Sequence, residues 1–396
     1  MTMLRAYLDH NATSPLRPGV RDVMLAAWEV SGNPSSVHME GRAARGLIEK
    51  ARLQVADLVG ARAGDVIFTS GASEANMLAL SPEMKEAYAP SPASHLYLSA
   101  IEHPSVREGG RFAAQAVSEI PVNSDGIVDL AALRTMLDAH DPAAGRAMIA
   151  VMAVNSETGV IQPINAIGQL ASEFNAYFHL DAVQAAGRIP LLMAEIGCSS
   201  LSLSAHKLGG PKGVGALVMA AEGLEPQPLI TGGPQENRLR AGTENVAGIA
   251  GFGEACFNAE NALTSDNGIA KQKALRDAFE AALVAMAPEG IIFGQQSPRV
   301  GNSCQFAIPG LKGETTLIQL DLGGVAVSSG SACSSGKVMA SHVLTAMGYS
   351  VDVASGAIRV SFGWSSEEAD LSRLIMQLRK ICEKNSINTA RLVENA

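Results

Sequence analysis

Short apolar runs alternate with segments of helical period between residues 17 and 218, and each run gives way at once to polar side chains. The runs at 66–69, 95–99, 148–154, 177–180 and 201–204 are predicted to be strands. Between them, Val20, Val23, Met24, Ala27 and Trp28 recur at helical spacing, as do Ala44, Leu47, Ile48, Ala51, Val55, Leu58 and Val59. A parallel partner cannot be reached through a tight turn, so this alternation predicts an α/β domain with a doubly wound, mostly parallel sheet. In such open sheets ligands collect beyond the carboxyl ends of the strands. There the sequence places Ser70-Gly71-Ala72-Ser73, Glu102-His103, Asn155, Asp181 and Ser204-Ala205-His206-Lys207, so five strands deliver functional groups to one rim.

The pattern changes beyond about residue 263, to a helix at 268–286, short strands at 303–308, 325–328 and 357–362, and a final helix from 367. We therefore expect a large domain over 16–262 and a smaller α+β domain built from 1–15 and 263–396. With 396 residues, 47% of them hydrophobic, the chain can bury two cores. A net charge of −9 with interspersed signs argues against nucleic acid or an anionic membrane as partner and favours a small molecule. The first residues lack the basic flank and apolar stretch of a signal peptide, and no run is long enough for a membrane span, so a cytoplasmic protein is expected. The five cysteines are odd in number and irregular in spacing, which fits neither a disulfide framework nor a zinc cluster.

Several of these residues suggest chemistry. Ser70 to Glu74 joins a strand to a helix, where glycine admits a close anion and the helix offers free N–H groups; an ordinary serine N-cap is the alternative. Lys207 lies three residues past a strand end, beside His206, where burial and a second cation make an amine nucleophilic. Lys212, in a Pro/Gly turn, suits solvent better. Asp181 could pair with a protonated pyridine nitrogen, and Gln184 could reach a ring hydroxyl. Asn155 holds the equivalent place one strand earlier, with turn formation as its rival role. Pro104 keeps His103 extended, where an imidazole could lie over a ring and carry protons. Cys333 sits in the small, glycine-flanked run Ser328 to Gly336. Cys198, Cys256, Cys304 and Cys382 lie in or beside apolar runs and read as packing residues.

On these residues the chain resembles the group I cysteine desulfurases of the class V aminotransferase superfamily, enzymes of fold-type I. The resemblance runs from Tyr7-Leu8-Asp9-His10-Asn11-Ala12-Thr13 through Asn33-Pro34-Ser35-Ser36-Val37-His38 to Arg359-Val360-Ser361, nearly the whole chain. It implies pyridoxal 5'-phosphate as cofactor, with Lys207 as its Schiff-base lysine, Asp181 on the pyridinium, Gln184 on the ring oxygen and His103 stacked and transferring protons. Ser73, Ser204 and His206 are implied for the phosphate, and Ala72 and Asn155 are also implied to bind the cofactor. Arg238 to Asn245 looks like the segment through which one subunit of a homodimer lends Thr243 to the other's phosphate site. Arg359 is implied to grip the substrate carboxylate, assisted by Asn155, with Asn33 framing the pocket. Ser73 stands where the family usually has threonine; the hydroxyl is kept.

The implied reaction takes sulfur from L-cysteine onto Cys333 as a persulfide, leaves L-alanine, and passes the sulfur to an acceptor such as an iron-sulfur scaffold. A selenocysteine lyase or aminotransferase on the same apparatus is the nearest rival, and a transaminase has no need of Cys333. A non-catalytic sulfur-relay subunit is the rival from another class; loss of the lysine or the thiol would mark it, and both are present.

Overall fold

The computed structural model describes residues 5–221, 223–329, 340–385 and 387. Seven strands form the main sheet: β1 (Val66–Thr69), β2 (Ala93–Ser99), β3 (Val117–Ile120), β4 (Arg146–Met152), β5 (Tyr177–Asp181), β6 (Ser200–Ser204) and β7 (Gly215–Met219). Their order is β1-β7-β6-β5-β4-β2-β3. All neighbours are parallel except β7, which runs antiparallel to both β1 and β6. The sheet is thus mostly parallel, as the alternation predicts.

Side chains alternate between two cores, one on each face. Phe68, Ile149, Val151 and Phe178 point to the face covered by α1 (Pro18–Trp28), α2 (Met39–Val59) and α4 (Val246–Thr264). Ile67, Met148, Ala150 and Leu217 point to the other, where α3 (Ala72–Ala79) packs. A strand buried on both faces reads as an unbroken apolar run, which is why β4, β5 and β6 are visible in sequence. Two strands, β3 and β7, lie outside the runs predicted from sequence. The edge strand β3 is only part-buried and carries Ser118 and Glu119. Strand β7 follows β6 after a ten-residue connection, too short for a helical crossover, so it must return antiparallel.

A further apolar core joins α5 (Lys271–Met286) and α6 (Glu368–Lys384) to a three-stranded antiparallel sheet of β8 (Ile291–Ile292), β9 (Ser303–Ala307) and β10 (Ile358–Ser361). Ala6 and Leu8 belong to this core, and Ala6–Tyr7 pairs in parallel with Val325–Ala326. From there the N-terminal segment crosses to the main sheet, where Ser14 N donates to His206 O at 2.8 Å and Arg17 N to Gly209 O at 3.0 Å. Among the described residues no helix is long and apolar enough to cross a membrane.

Candidate active site

The β6–β7 connection carries Lys207 on a 3₁₀ turn, Ala205–Lys207. Gly209 then takes a left-handed φ of 82°, and a Cβ there would lie 2.8 Å from Arg17 Cγ, so only glycine closes this turn without strain. Lys207 Nζ donates to two main-chain carbonyls of the N-terminal segment, Asn11 O at 2.6 Å and Ala12 O at 2.8 Å. Burial, then the positive charges of Arg359 and Arg188, push its pKa from 10.5 down to about 7, against the pull of Asp9 and Asp181. At neutral pH a large share of this amine is the free base that nucleophilic chemistry requires.

Asp181, 7% exposed, ends β5. Its Oδ2 accepts from Asn76 Nδ2 at 3.0 Å and its Oδ1 from Val183 N at 3.0 Å. His103 caps the short helix that follows β2, with Nδ1 2.8 Å from Ser105 Oγ. Burial lowers the His103 pKa, as do Lys207 and His342, while Asp181 raises it, so the imidazole, Asp181 and Lys207 share one field. The adjacent Glu102 is buried, with Oε1 accepting from Met152 N at 2.7 Å and Oε2 without a partner among the described residues. Burial, then Asp181, raises its pKa well above the carboxylate range.

Arg359, on β10, brings the second core into the site. It donates to Asp9 Oδ1 and to Ser156 O, both at 2.9 Å, and its buried Nε has no partner among the described residues. Gln184 Nε2 donates to Asn11 O at 3.0 Å, the carbonyl that also takes Lys207. Gln184 in turn accepts from Arg188 through its main-chain oxygen at 3.0 Å and through Oε1. Arg188 pairs with no carboxylate among the described residues, and burial, then Arg359, lowers its pKa to about 9. Asn155 is occupied otherwise: its Oδ1 accepts from Glu157 N and Thr158 N, both at 3.0 Å, and its Nδ2 donates to Ile101 O at 3.2 Å. That is the turn-forming arrangement, and it ties the Asn155 turn to the loop bearing His103.

At the other end of the rim, Ala72 and Ser73 open α3, and a Cβ on Gly71 would meet nothing within 4 Å. Although burial opposes it, hydrogen bonds from Ser70 and the ion pair with Arg240 hold the Glu74 pKa low. Ser204 is buried at the end of β6. His206 Nδ1 lies 3.2 Å from Thr13 Oγ1; burial, then Lys207 and Lys212, lowers its pKa to about 4. Thr243 is exposed, between Gly242 and Glu244, which line a cleft with Ser70 and Gly213. Asn33 is also exposed, its Oδ1 accepting from Ser35 N at 2.9 Å, and no hydrogen bond joins it to Lys207, His103 or Arg359 within one chain.

Cys333 lies outside the described residues. The other four cysteines are buried free thiols. Burial raises every one of their pKa values, that of Cys198 to about 12. Brief treatment of the native protein with iodoacetamide, followed by peptide mapping, is therefore expected to alkylate Cys333 and leave these four intact until the chain is unfolded. Early modification of Cys256 or Cys304 would contradict that expectation.

Asp9, Asn11, Asn76 and Arg188 were not singled out from sequence. Asn11 and Ala12 act through main-chain oxygens, which no side chain announces, although the dense polar run Asp9-His10-Asn11 directly after a strand was a visible signal. Together the residues fit pyridoxal phosphate: an amine held near its neutral form, a fixed carboxylate one strand away, an imidazole, and a helix start with open space before it.

The class-V aminotransferase model matches residues 6–374. The chain is 41% identical over 383 residues to a cysteine desulfurase IscS of Dictyoglomus turgidum, covering 96% of this chain and 94% of that one. It is 37% identical to an IscS-like cysteine desulfurase of Mycobacterium tuberculosis, over 92% and 93% of the two chains. Among solved structures, a NifS-like protein from Rickettsia africae superposes with a TM-score of 0.86 at 32% identity, covering 96% of this chain and 99% of that one. SspA in complex with cysteine superposes at 0.74 with 29% identity, over 91% and 100%.

Proposed function

The chain belongs to the class-V aminotransferase family, and from that premise we propose that it is a pyridoxal-phosphate-dependent cysteine desulfurase, converting L-cysteine to L-alanine. The observation that carries the reading is the Lys207 amine, held near neutrality at one rim with Asp181, His103 and Arg359 around it. Pyridoxal phosphate, when bound, supplies an electron-withdrawing ring that stabilises negative charge at the substrate Cα.

The protein's residues do the rest. Asp181 holds the ring-nitrogen proton, its orientation fixed by Asn76 and Val183. Ser73, Ser204, His206 and the first N–H groups of α3 hold the phosphate, with Ala72 opening the helix and Thr243 lent by the partner subunit of a homodimer. Exposure of Thr243 in a single chain supports that loan. Gln184 holds the ring oxygen. Arg359 takes the substrate carboxylate, a task suited to a bidentate guanidinium. Asn155 serves by fixing the loop before His103, and Asn33 frames the pocket from its exposed turn. Lys207 Nζ removes the Cα proton, and His103 carries the proton exchanged at the thiol. Cys333 attacks the substrate sulfur: an S–S bond forms, the Cβ–S bond breaks, and the carbon gains a proton. The persulfide then passes to an acceptor protein, an iron-sulfur scaffold being the expected kind, in the cytoplasm. We also propose the division into a large domain over 16–262 and a small one over 1–15 and 263–396, since Ala6 and Leu8 share a core with α5 and α6.

Incubating the cofactor-loaded protein with L-cysteine and dithiothreitol is expected to yield alanine and sulfide in equal amounts. Pyruvate with ammonia, or transamination without sulfide, would sink the reading.

A further inference from the structure

The proposal that follows rests on the site assignment above and concerns a residue outside it. Asn76, on the inner face of α3, is fully buried and makes three side-chain hydrogen bonds. Its Nδ2 donates to Asp181 Oδ2 at 3.0 Å and to Ser105 Oγ at 2.9 Å; its Oδ1 faces His179 Nε2 at 3.0 Å. One amide therefore touches Asp181 directly and His103 through a single hydroxyl.

Counting donors and acceptors determines every proton in this chain of contacts. A carboxylate only accepts, so Asn76 must turn its NH₂ group toward Asp181 and its oxygen toward His179. Burial drives the His179 pKa down to about 3, so that ring is neutral; its proton lies on Nε2, and its Nδ1 accepts from Ser200 Oγ at 2.9 Å. The second hydrogen of Asn76 Nδ2 goes to Ser105 Oγ. The Ser105 main-chain N–H donates to His103 Nδ1 at 3.2 Å, which makes that atom an acceptor; the Ser105 hydroxyl, already accepting from Asn76, then turns its own hydrogen to the same Nδ1 at 2.8 Å. Nδ1 of His103 is thereby held without a proton, and the neutral ring carries its hydrogen on Nε2.

We propose that Asn76 is a positioning residue that fixes the orientation of Asp181 and, through Ser105, holds His103 in the Nε2–H tautomer, so that His103 exchanges protons through Nε2 alone. Support of this kind one layer behind reacting groups typically changes rate or affinity by 10-fold or more when removed.

The test reads the tautomer in the cofactor-free protein, so it stands or fails apart from the assigned activity. In ¹⁵N-histidine-labelled apoprotein, at a pH where imidazoles are neutral, the His103 signal is identified by its loss in His103→Gln. The expected pattern is an unprotonated Nδ1 and a protonated Nε2; a proton on Nδ1 overturns the proposal. Asn76→Leu keeps the volume and removes the amide. It is expected to give a mixture of His103 tautomers and to weaken pyridoxal phosphate binding on the order of 10-fold; a folded variant with the wild-type tautomer overturns the relay. Should Asn76→Leu not fold, Ser105→Ala breaks only the His103 arm. It leaves the Ser105 main-chain N–H on Nδ1 and removes the hydroxyl, so it is expected to raise the share of the second tautomer above its wild-type level; an unchanged share overturns the relay.

Discussion

Replacing Lys207 by methionine is expected to leave a folded protein that takes up pyridoxal phosphate without fixing it, and to slow sulfide release from L-cysteine by at least about three orders of magnitude. With a pKa of about 7, roughly half of the Lys207 amine is free base at neutral pH, against about one part in three thousand for an ordinary lysine. Covalent uptake of the cofactor by wild-type apoprotein should therefore accelerate with pH up to about 7 and then level off, a profile followed by absorbance. Borohydride should fix the cofactor to the wild-type chain, with the mass increment on the Lys207 peptide, and should fix nothing to Lys207→Met.

The same shift carries a stability consequence of known sign. Between pH 7 and 10.5 the unfolded chain binds a proton at this lysine that the folded chain does not, so stability rises with pH across that window. The cost of burying the amine is fully present below about pH 7 and gone above the unfolded value. Lys207→Met removes it, and the apoprotein variant should melt no lower than wild type at neutral pH. A variant that melts well below wild type would mean that the two hydrogen bonds to Asn11 and Ala12 outweigh the charge burial.

The polar residues at strand ends were legible because a parallel sheet turns a one-dimensional pattern into a position. Lys207, Asp181 and His103 each stand just beyond an apolar run, and the structure brings them into one field. What the pattern does not encode is pairing across long separations. Arg359 and Asp9 form an ion pair across 350 positions, and only the packing of β10 beside the N-terminal segment brings them together. Asn76 has the spacing of any polar residue on a short helix, and its role lies in partners on two other elements. Strands β3 and β7 were hidden for separate reasons, an edge without an apolar run and a return too short for a crossover. Asn155 shows the converse: its position at a strand end is as the pattern predicts, yet its oxygen is spent on its own turn.

Replacing Cys333 by alanine is expected to reduce sulfide release from L-cysteine by about three orders of magnitude or more, while uptake of the cofactor by Lys207 proceeds as in wild type. The thiolate is the attacking species, so a substitute must be both ionisable and reachable. Cys198, Cys256, Cys304 and Cys382 are neither: all four are buried, and burial raises each pKa, that of Cys256 and Cys304 well above the ordinary thiol value. No other cysteine can rescue the variant. The reaction with dithiothreitol sharpens the test, because an external thiol releases sulfide by reducing a persulfide already formed on the protein. With wild type, a single turnover without reductant should leave one persulfide per active chain, found by mass on the Cys333 peptide, together with one alanine. Cys333→Ala should bind L-cysteine and form neither. Sulfide release by the variant at a rate near wild type would mean that the sulfur leaves without a protein nucleophile, and the desulfurase assignment of Cys333 would be wrong.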